Sequence, residues 1–329
     1  MRYFLAAFAA FFALPAQADI NQVIDAHIMT RHAAFTEQAA ALVDATQQDC
    51  TPAGMIPAFH EAFDAWVAVN HIRFGPIEQN GESLAVSFWP DKKGKIPKTL
   101  RRLIAANDPV IYDPVAFSTY SVAARGFFSL EQLLYDEEFS RYDAQSYTCR
   151  FVQAIAADIS RIASETELGW VEGYAAILRT AGEAGNEIYL SEDEGAQALL
   201  TSLLGGLEYI YAQRVARPLG TFDNPRPARA EARRSARSLR NIMVSLAALQ
   251  EMARLLSDNT ASTTEKAFTS VQAFGQAHDE RIFTELETIS ARFKLETLGQ
   301  LVQVVHESAG AEISAHLGVN AGFNALDGD

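Results

Sequence analysis

The sequence predicts an all-α chain built from two packed four-helix bundles. Apolar residues recur at helical spacing along most of its length, and strand-like alternation is nearly absent. Glycine, proline and acidic breaks separate the periodic stretches at intervals suited to bundle connections. At 329 residues and 49% hydrophobic content, the chain can bury one large core or two medium ones.

Residues 1–18 read as a secretory signal peptide. Arg2 supplies positive charge, Phe4–Leu14 is an unbroken apolar run, Pro15 breaks it, and Ala16-Gln17-Ala18 is a small-x-small cleavage pattern. The run is short for a bilayer span, and no later stretch approaches ~18 consecutive apolar residues. The chain from Asp19 onward is expected in the periplasm, with no transmembrane segment after signal cleavage.

The first bundle spans 19–185. Residues 20–48 form an alanine-rich amphipathic helix that ends near Cys50. Pro57 to about Phe74 forms a second, carrying Phe59, Phe63, Trp66 and Val67, and Gly75-Pro76 stops it. Residues 75–113 are irregular, with a short helix around Lys98–Ala106. Asp113 caps a helix from Pro114 to about Tyr135, and another runs from Ser146 to Ser164. Gly182, Gly185 and the acidic Ser191–Gly195 mark a boundary. The second bundle, 186–329, has helices over Ala196–Arg217, from Asn224-Pro225 to Ser257, from a Ser262/Glu265 capping box to Ser290, and over Leu295–Leu317 with Gly318 as C-cap.

Formal charge is −14, and −15 once Arg2 leaves with the leader. That excess argues against nucleic acid and anionic membrane surfaces as partners. Export makes Cys50 and Cys149 candidates for a disulfide, with two free thiols as the alternative. Closing a loop of about 100 residues stabilises by roughly 4–5 kcal/mol in the chain-entropy view.

The sequence contains no G-x-S-x-G, H-E-x-x-H, C-x-x-C or phosphate-binding glycine loop. The sharpest feature is RGFFSLEQLLYD, Arg125–Asp136. Phe127, Leu130, Glu131 and Leu134 share one helical face, so a carboxylate sits within an apolar stripe. Gly126 lets another backbone or a ligand approach. Glu131 is either a pocket carboxylate or half of a buried Glu–Arg pair, and Arg73 is the candidate partner. Arg226, Arg229, Arg233, Arg237 and Arg240, at spacings of 3, 4, 4 and 3, fall on one face of the helix expected from Asn224. They read as a solvated basic face, or as one whose end, Arg237 above all, meets carboxylates of the other bundle. His60 and Asp64, four apart, read as a surface pair, with a shared ligand as the alternative. Trp66 and Trp170 read as core, and Trp89 as a residue able to line a cleft.

Four stretches give the chain a resemblance to the imelysin family of exported bacterial proteins, classed with the imelysin-type peptidases. They are Gly126–Glu131, Arg73–Ile77, Arg217–Asn241 and the terminal Gly322–Asp329. The resemblance implies two four-helix bundles with a cleft between them, an envelope location, and a link to iron acquisition. The family motif G-x-H-x-x-E falls here on Gly126, Phe128 and Glu131, with phenylalanine at the histidine position. Phenylalanine has no lone pair for a metal, and a metallopeptidase needs several protein ligands and an activated water. The expected function is therefore a binding or accessory protein of an iron- or metal-related envelope system, without peptidase activity. An envelope metallopeptidase-like enzyme is the alternative. Gly126, Phe128, Glu131, Arg73, Trp89 and Arg237 are the candidate binding residues. Any cofactor would be iron or another divalent metal at Glu131, weakly held, and the expected partners are envelope iron-uptake or redox proteins.

Overall fold

Long helices account for most of the computed structural model, which describes residues 20–320. The leader and the terminal GFNALDGD lie outside the described residues. In chain order the main helices are α1 (Thr30–Gln48), α2 (Pro52–Val67), α3 (Lys95–Ala106), α4 (Gly126–Tyr135), α5 (Tyr147–Gly169), α6 (Glu192–Tyr209), α7 (Ser238–Leu256), α8 (Ser262–Gln276) and α9 (Ile289–Leu317). Wide π-helical turns extend three of them: Val23–Met29 leads into α1, Trp170–Tyr174 continues α5, and Ile210–Ala216 continues α6. Among the described residues there are no named strands, only an isolated bridge between Thr221 and Asn224.

Helix α1 packs on α2 and α5, and α4 packs on the same two. After the non-helical stretch 180–191, α6 and α8 pack on α9, and α7 packs on α6 and α8. Helix α7 also reaches across to α2. One apolar core runs through all of these contacts, including Leu42, Phe59 and Ile159 in the earlier helices and Leu203, Phe268 and Val302 in the later ones. Each such side chain contributes about 1.5–3 kcal/mol by leaving water.

Several helices differ from the expected boundaries. Helix α2 begins at Pro52, whose missing N–H is harmless in a first turn, and it ends at Val67 rather than near Phe74. The stretch from Pro114 to Tyr135 is not one helix. A short turn of helix, Pro114–Ser118, and a single 3₁₀ turn, Val122–Ala124, precede α4. Gly126 sets the break. Its φ is +71°, and a Cβ there would lie 2.2 Å from the carbonyl oxygens of Ala85 and Val86. The preceding Arg125 is extended and buried, and its guanidinium forks onto Asp158 of α5 at 2.7 and 3.1 Å.

The largest difference is at Asn224–Ser257. Helix α7 starts only at Ser238, because Ala232 and Ala236 both take positive φ and the Glu280 carboxylate caps the backbone N–H groups of Ser238 and Leu239 at 2.7 and 2.9 Å. The arginine row is therefore not a helix face. The next helix ends at Gln276, ahead of a separate short turn, Arg281–Thr284. Ser262 does not cap it. Glu312 of α9 accepts the N–H groups of Thr263 and Thr264 at 3.0 and 2.8 Å, while Glu265 pairs with Arg254.

Cys50, just past α1, is disulfide-bonded to Cys149 in the first turn of α5, with Cα atoms 5.4 Å apart. Reducing this bridge is expected to lower stability by about 4 kcal/mol, since it closes a loop of 99 residues. Urea titrations with and without reductant measure that difference, and coincident curves would remove the bridge from the stability of the fold.

Three histidines, His27, His32 and His71, sit in the core, where burial disfavours the charged ring. His32 stacks on Trp170 at 5.8 Å with neither ring nitrogen partnered, and burial pushes its pKa down to about 3. His27 faces His71 at 2.9 Å between ring nitrogens and meets Glu251 at 3.1 Å. Burial lowers both of these rings as well. The unfolded chain binds a proton at His32 near pH 6.5, whereas the folded chain binds one there only near pH 3. The stability from His32 is complete above pH 6.5 and is lost as pH falls toward 3, at about 1.4 kcal/mol per unit. His32→Phe is expected to flatten the pH slope of unfolding free energy between about pH 6 and 4 by one proton's share. An unchanged slope would show that His32 is protonated in the fold.

Candidate functional site

Every residue of α4 from Gly126 to Leu134 is buried, so Glu131 has no route to bulk solvent along its own helix. Its carboxylate is 2% exposed and is satisfied by a serine rather than an arginine. The backbone N–H of Ser235 donates to Glu131 Oε1 at 2.9 Å, and the Ser235 hydroxyl donates to the same oxygen at 2.7 Å. Burial pushes the Glu131 pKa upward, and the Ser235 bonds and the charges of Arg234 and Arg233 oppose that shift. Arg73 is not its partner. Because α2 ends at Val67, Arg73 lies beyond the helix and is exposed, with its guanidinium 4.3 Å from the centre of the Tyr209 ring.

The loop that carries Ser235 is held at several points. Glu231 forms a buried ion pair with Arg214 at 2.6 Å and accepts from the Asn241 amide at 2.9 Å. Arg234 reaches Asp136, just past α4, at 2.7 Å. Arg237 has no exposed surface. It pairs with Asp64 of α2, donates to His60 Nδ1 at 2.7 Å and lies 4.8 Å over the Phe63 ring. His60 and Asp64 are thus joined through one guanidinium rather than paired at the surface. A guanidinium only donates, so His60 Nδ1 accepts, and the imidazole hydrogen sits on Nε2, 2.8 Å from the Tyr135 hydroxyl. Burial and the Arg237 charge push the His60 pKa down to about 4, which keeps this relay neutral at the ring.

Above Glu131 opens a cleft of about 590 Å³. Phe128, Glu131 and Gln132 come from α4, Trp89 and Lys92 from the stretch before α3, Arg217 from the residue that follows the α6 extension, and Arg229, Arg233 and Arg234 from the loop before α7. Trp89 stacks on Phe128 with ring centres 6.2 Å apart, and Phe128 meets Phe63 edge-on at 5.6 Å. Arg217 lies 5.7 Å over the Trp89 ring. Of the sequence candidates, the cleft brings together Phe128, Glu131 and Trp89. Gly126 lies against the backbone of Ala85 and Val86, Arg237 is in the inter-helix contact, and Arg73 is at Tyr209.

Sequence reasoning missed Ser235, Gln132, Arg217 and Lys92. The signal for Ser235 lay in two alanines at positive φ, which no propensity marks. A divalent metal does not fit beside Glu131. Phe128 offers no lone pair, the nearest charges acting on the carboxylate are those of Arg234 and Arg233, and among the described residues no group of three or more His, Cys, Asp or Glu could hold a metal ion.

The family model for imelysin matches residues 28–308. The chain belongs to the imelysin family. Two solved structures are similar in fold. An imelysin-like protein from Psychrobacter arcticum 273-4 shares 20% identity over 92% of this chain and 96% of its own, with a TM-score of 0.78. A protein from Parabacteroides distasonis ATCC 8503, described as an iron-regulated protein A precursor, shares 13% over 91% and 94%, with a TM-score of 0.67. No curated protein matches the chain. In this imelysin Glu131 is thus a buried acceptor for a serine, and Phe128 is part of an aromatic stack.

Two substitutions separate these contacts. Glu131→Ala leaves the Ser235 N–H without its acceptor and is expected to cost about 1–3 kcal/mol. Arg237→Ala leaves the His60 and Asn241 acceptors without their donor and opens a cavity over Phe63, while Asp64 keeps Arg240, and is expected to cost more, about 2–4 kcal/mol. Chemical denaturation ranks them, and a larger loss at Glu131 would mean that the carboxylate carries an ion pair.

Proposed function

We propose that this imelysin is a periplasmic binding or accessory protein of an iron- or metal-related envelope system, and that it does not cleave peptides. The observation that carries the reading is the make-up of the cleft. It is large enough for an organic ligand and rimmed by cations, and its carboxylate is already engaged by Ser235. A hydrolytic metal centre needs an activated water on a multi-ligand metal, and the donor set at Glu131 does not fit one. The signal-peptide pattern supports export. The family membership and a structural relative described as iron-regulated support the link to iron, with envelope iron-uptake or redox proteins as the partners of choice.

A strain lacking the protein is expected to fall behind its parent only when iron is withheld, and the parent is expected to yield the protein in its periplasmic fraction. Equal growth under iron limitation would overturn the iron link. Purified protein is expected to leave a peptide panel intact. Cleavage stopped by a chelator and by Glu131→Ala would instead establish the metallopeptidase-like alternative.

A further inference from the structure

We propose that the ligand of this cleft is a small hydroxylated polycarboxylate, held by Arg217, Arg229 and Arg233. The inference rests on the binding reading above and names the ligand class.

The sign of the charge is the first observation. The chain as a whole is strongly acidic, at −14, yet Lys92, Arg217, Arg229, Arg233 and Arg234 line one cleft against only Asp91 and Glu131. Those two acids are already engaged. Asp91 accepts the N–H groups of Lys95 and Ile96 at 2.8 Å each, and Glu131 accepts from Ser235. Arg234 is neutralised by Asp136. Arg217, Arg229 and Arg233 form no ion pair among the described residues. Arg217 is partly buried, and the charge of Arg229 acts against it. Cations of like sign facing one cavity repel one another, and an anion placed among them turns that repulsion into attraction.

The second observation is independent of charge. Gln132 is 4% exposed, lines the cleft, and its Oε1 has no hydrogen-bond partner. A buried amide oxygen left unpaired is costly, so a ligand that brings a hydroxyl donor to it is favoured over one that does not. The third is size and placement. A volume of about 590 Å³ far exceeds what an inorganic anion fills. Arginines supplied from position 217 and from 229–233 suit acidic groups spread along a carbon skeleton, each met by a guanidinium fork.

Calorimetry of the signal-free chain with citrate, tricarballylate (citrate without its hydroxyl) and inorganic phosphate tests this. Citrate is expected to bind best. Arg229→Ala and Arg233→Ala replace exposed side chains, so the fold is retained, and each is expected to weaken citrate roughly tenfold. Gln132→Leu is expected to erase the preference for citrate over tricarballylate while leaving tricarballylate unchanged. No heat with citrate, equal binding of phosphate, or citrate binding indifferent to the arginine changes would overturn the proposal. A growth defect under iron limitation alongside silence toward citrate would overturn the ligand class and leave the envelope role standing.

Discussion

A guanidinium with no exposed surface has to be neutralised where it lies, and Arg237 meets that requirement across the two helical groups. Its charge is answered by Asp64, one of its N–H groups by His60, and its Nε by Asn241 at 3.2 Å. His60 in turn reaches Tyr135 at the end of α4. Helices α2, α4 and α7 are therefore tied at one buried point. Apolar burial supplies the larger share of stability, but it is non-directional. The Arg237 cluster is directional, and it fixes how the loop before α7 sits on α4.

Fixing that loop creates the cleft. Once Arg237 and the Arg214–Glu231 pair hold residues 231–237, Ser235 lies against Glu131, and Arg233 and Arg234 lie at the rim. The rim cations are local, set against an acidic chain. Their contribution to encounter with an anion falls with salt, since exposed charges are screened within about 10 Å at ordinary ionic strength. Arg217 is partly buried, so its charge is screened less.

The helical class, most helix-bearing stretches and the disulfide were legible because periodicity, caps and cysteine context are local signals. Gly126 was legible as a site of close approach, and what approaches is the backbone of Ala85 and Val86. The long helix expected from Asn224 was not, because helix-favouring Ala and Arg residues hide Ala232 and Ala236 in a left-handed conformation that the tertiary contacts impose. That single misreading concealed the site. On a helix the arginines would share a solvated face, whereas in the loop they line a cavity. The partner of Glu131 is hidden too, since Ser235 is distant in sequence and unremarkable in type, and the end of α2 at Val67 carries Arg73 away to Tyr209.

The phenylalanine in the family motif and the arginine-rich loop now have one electrostatic explanation. An imidazole beside a carboxylate is useful where a metal cation is to be held. Here the field around that carboxylate comes from Arg233 and Arg234, which oppose a second cation as strongly as they attract an anion. In such a field a histidine at position 128 would gain nothing as a ligand, while a phenylalanine gains its contacts with Phe63 and Trp89. Trp89 in turn lies under the guanidinium of Arg217, one of the rim cations. The aromatic stack at position 128 and the cationic rim thus both suit this cleft to an anion rather than to a metal cation.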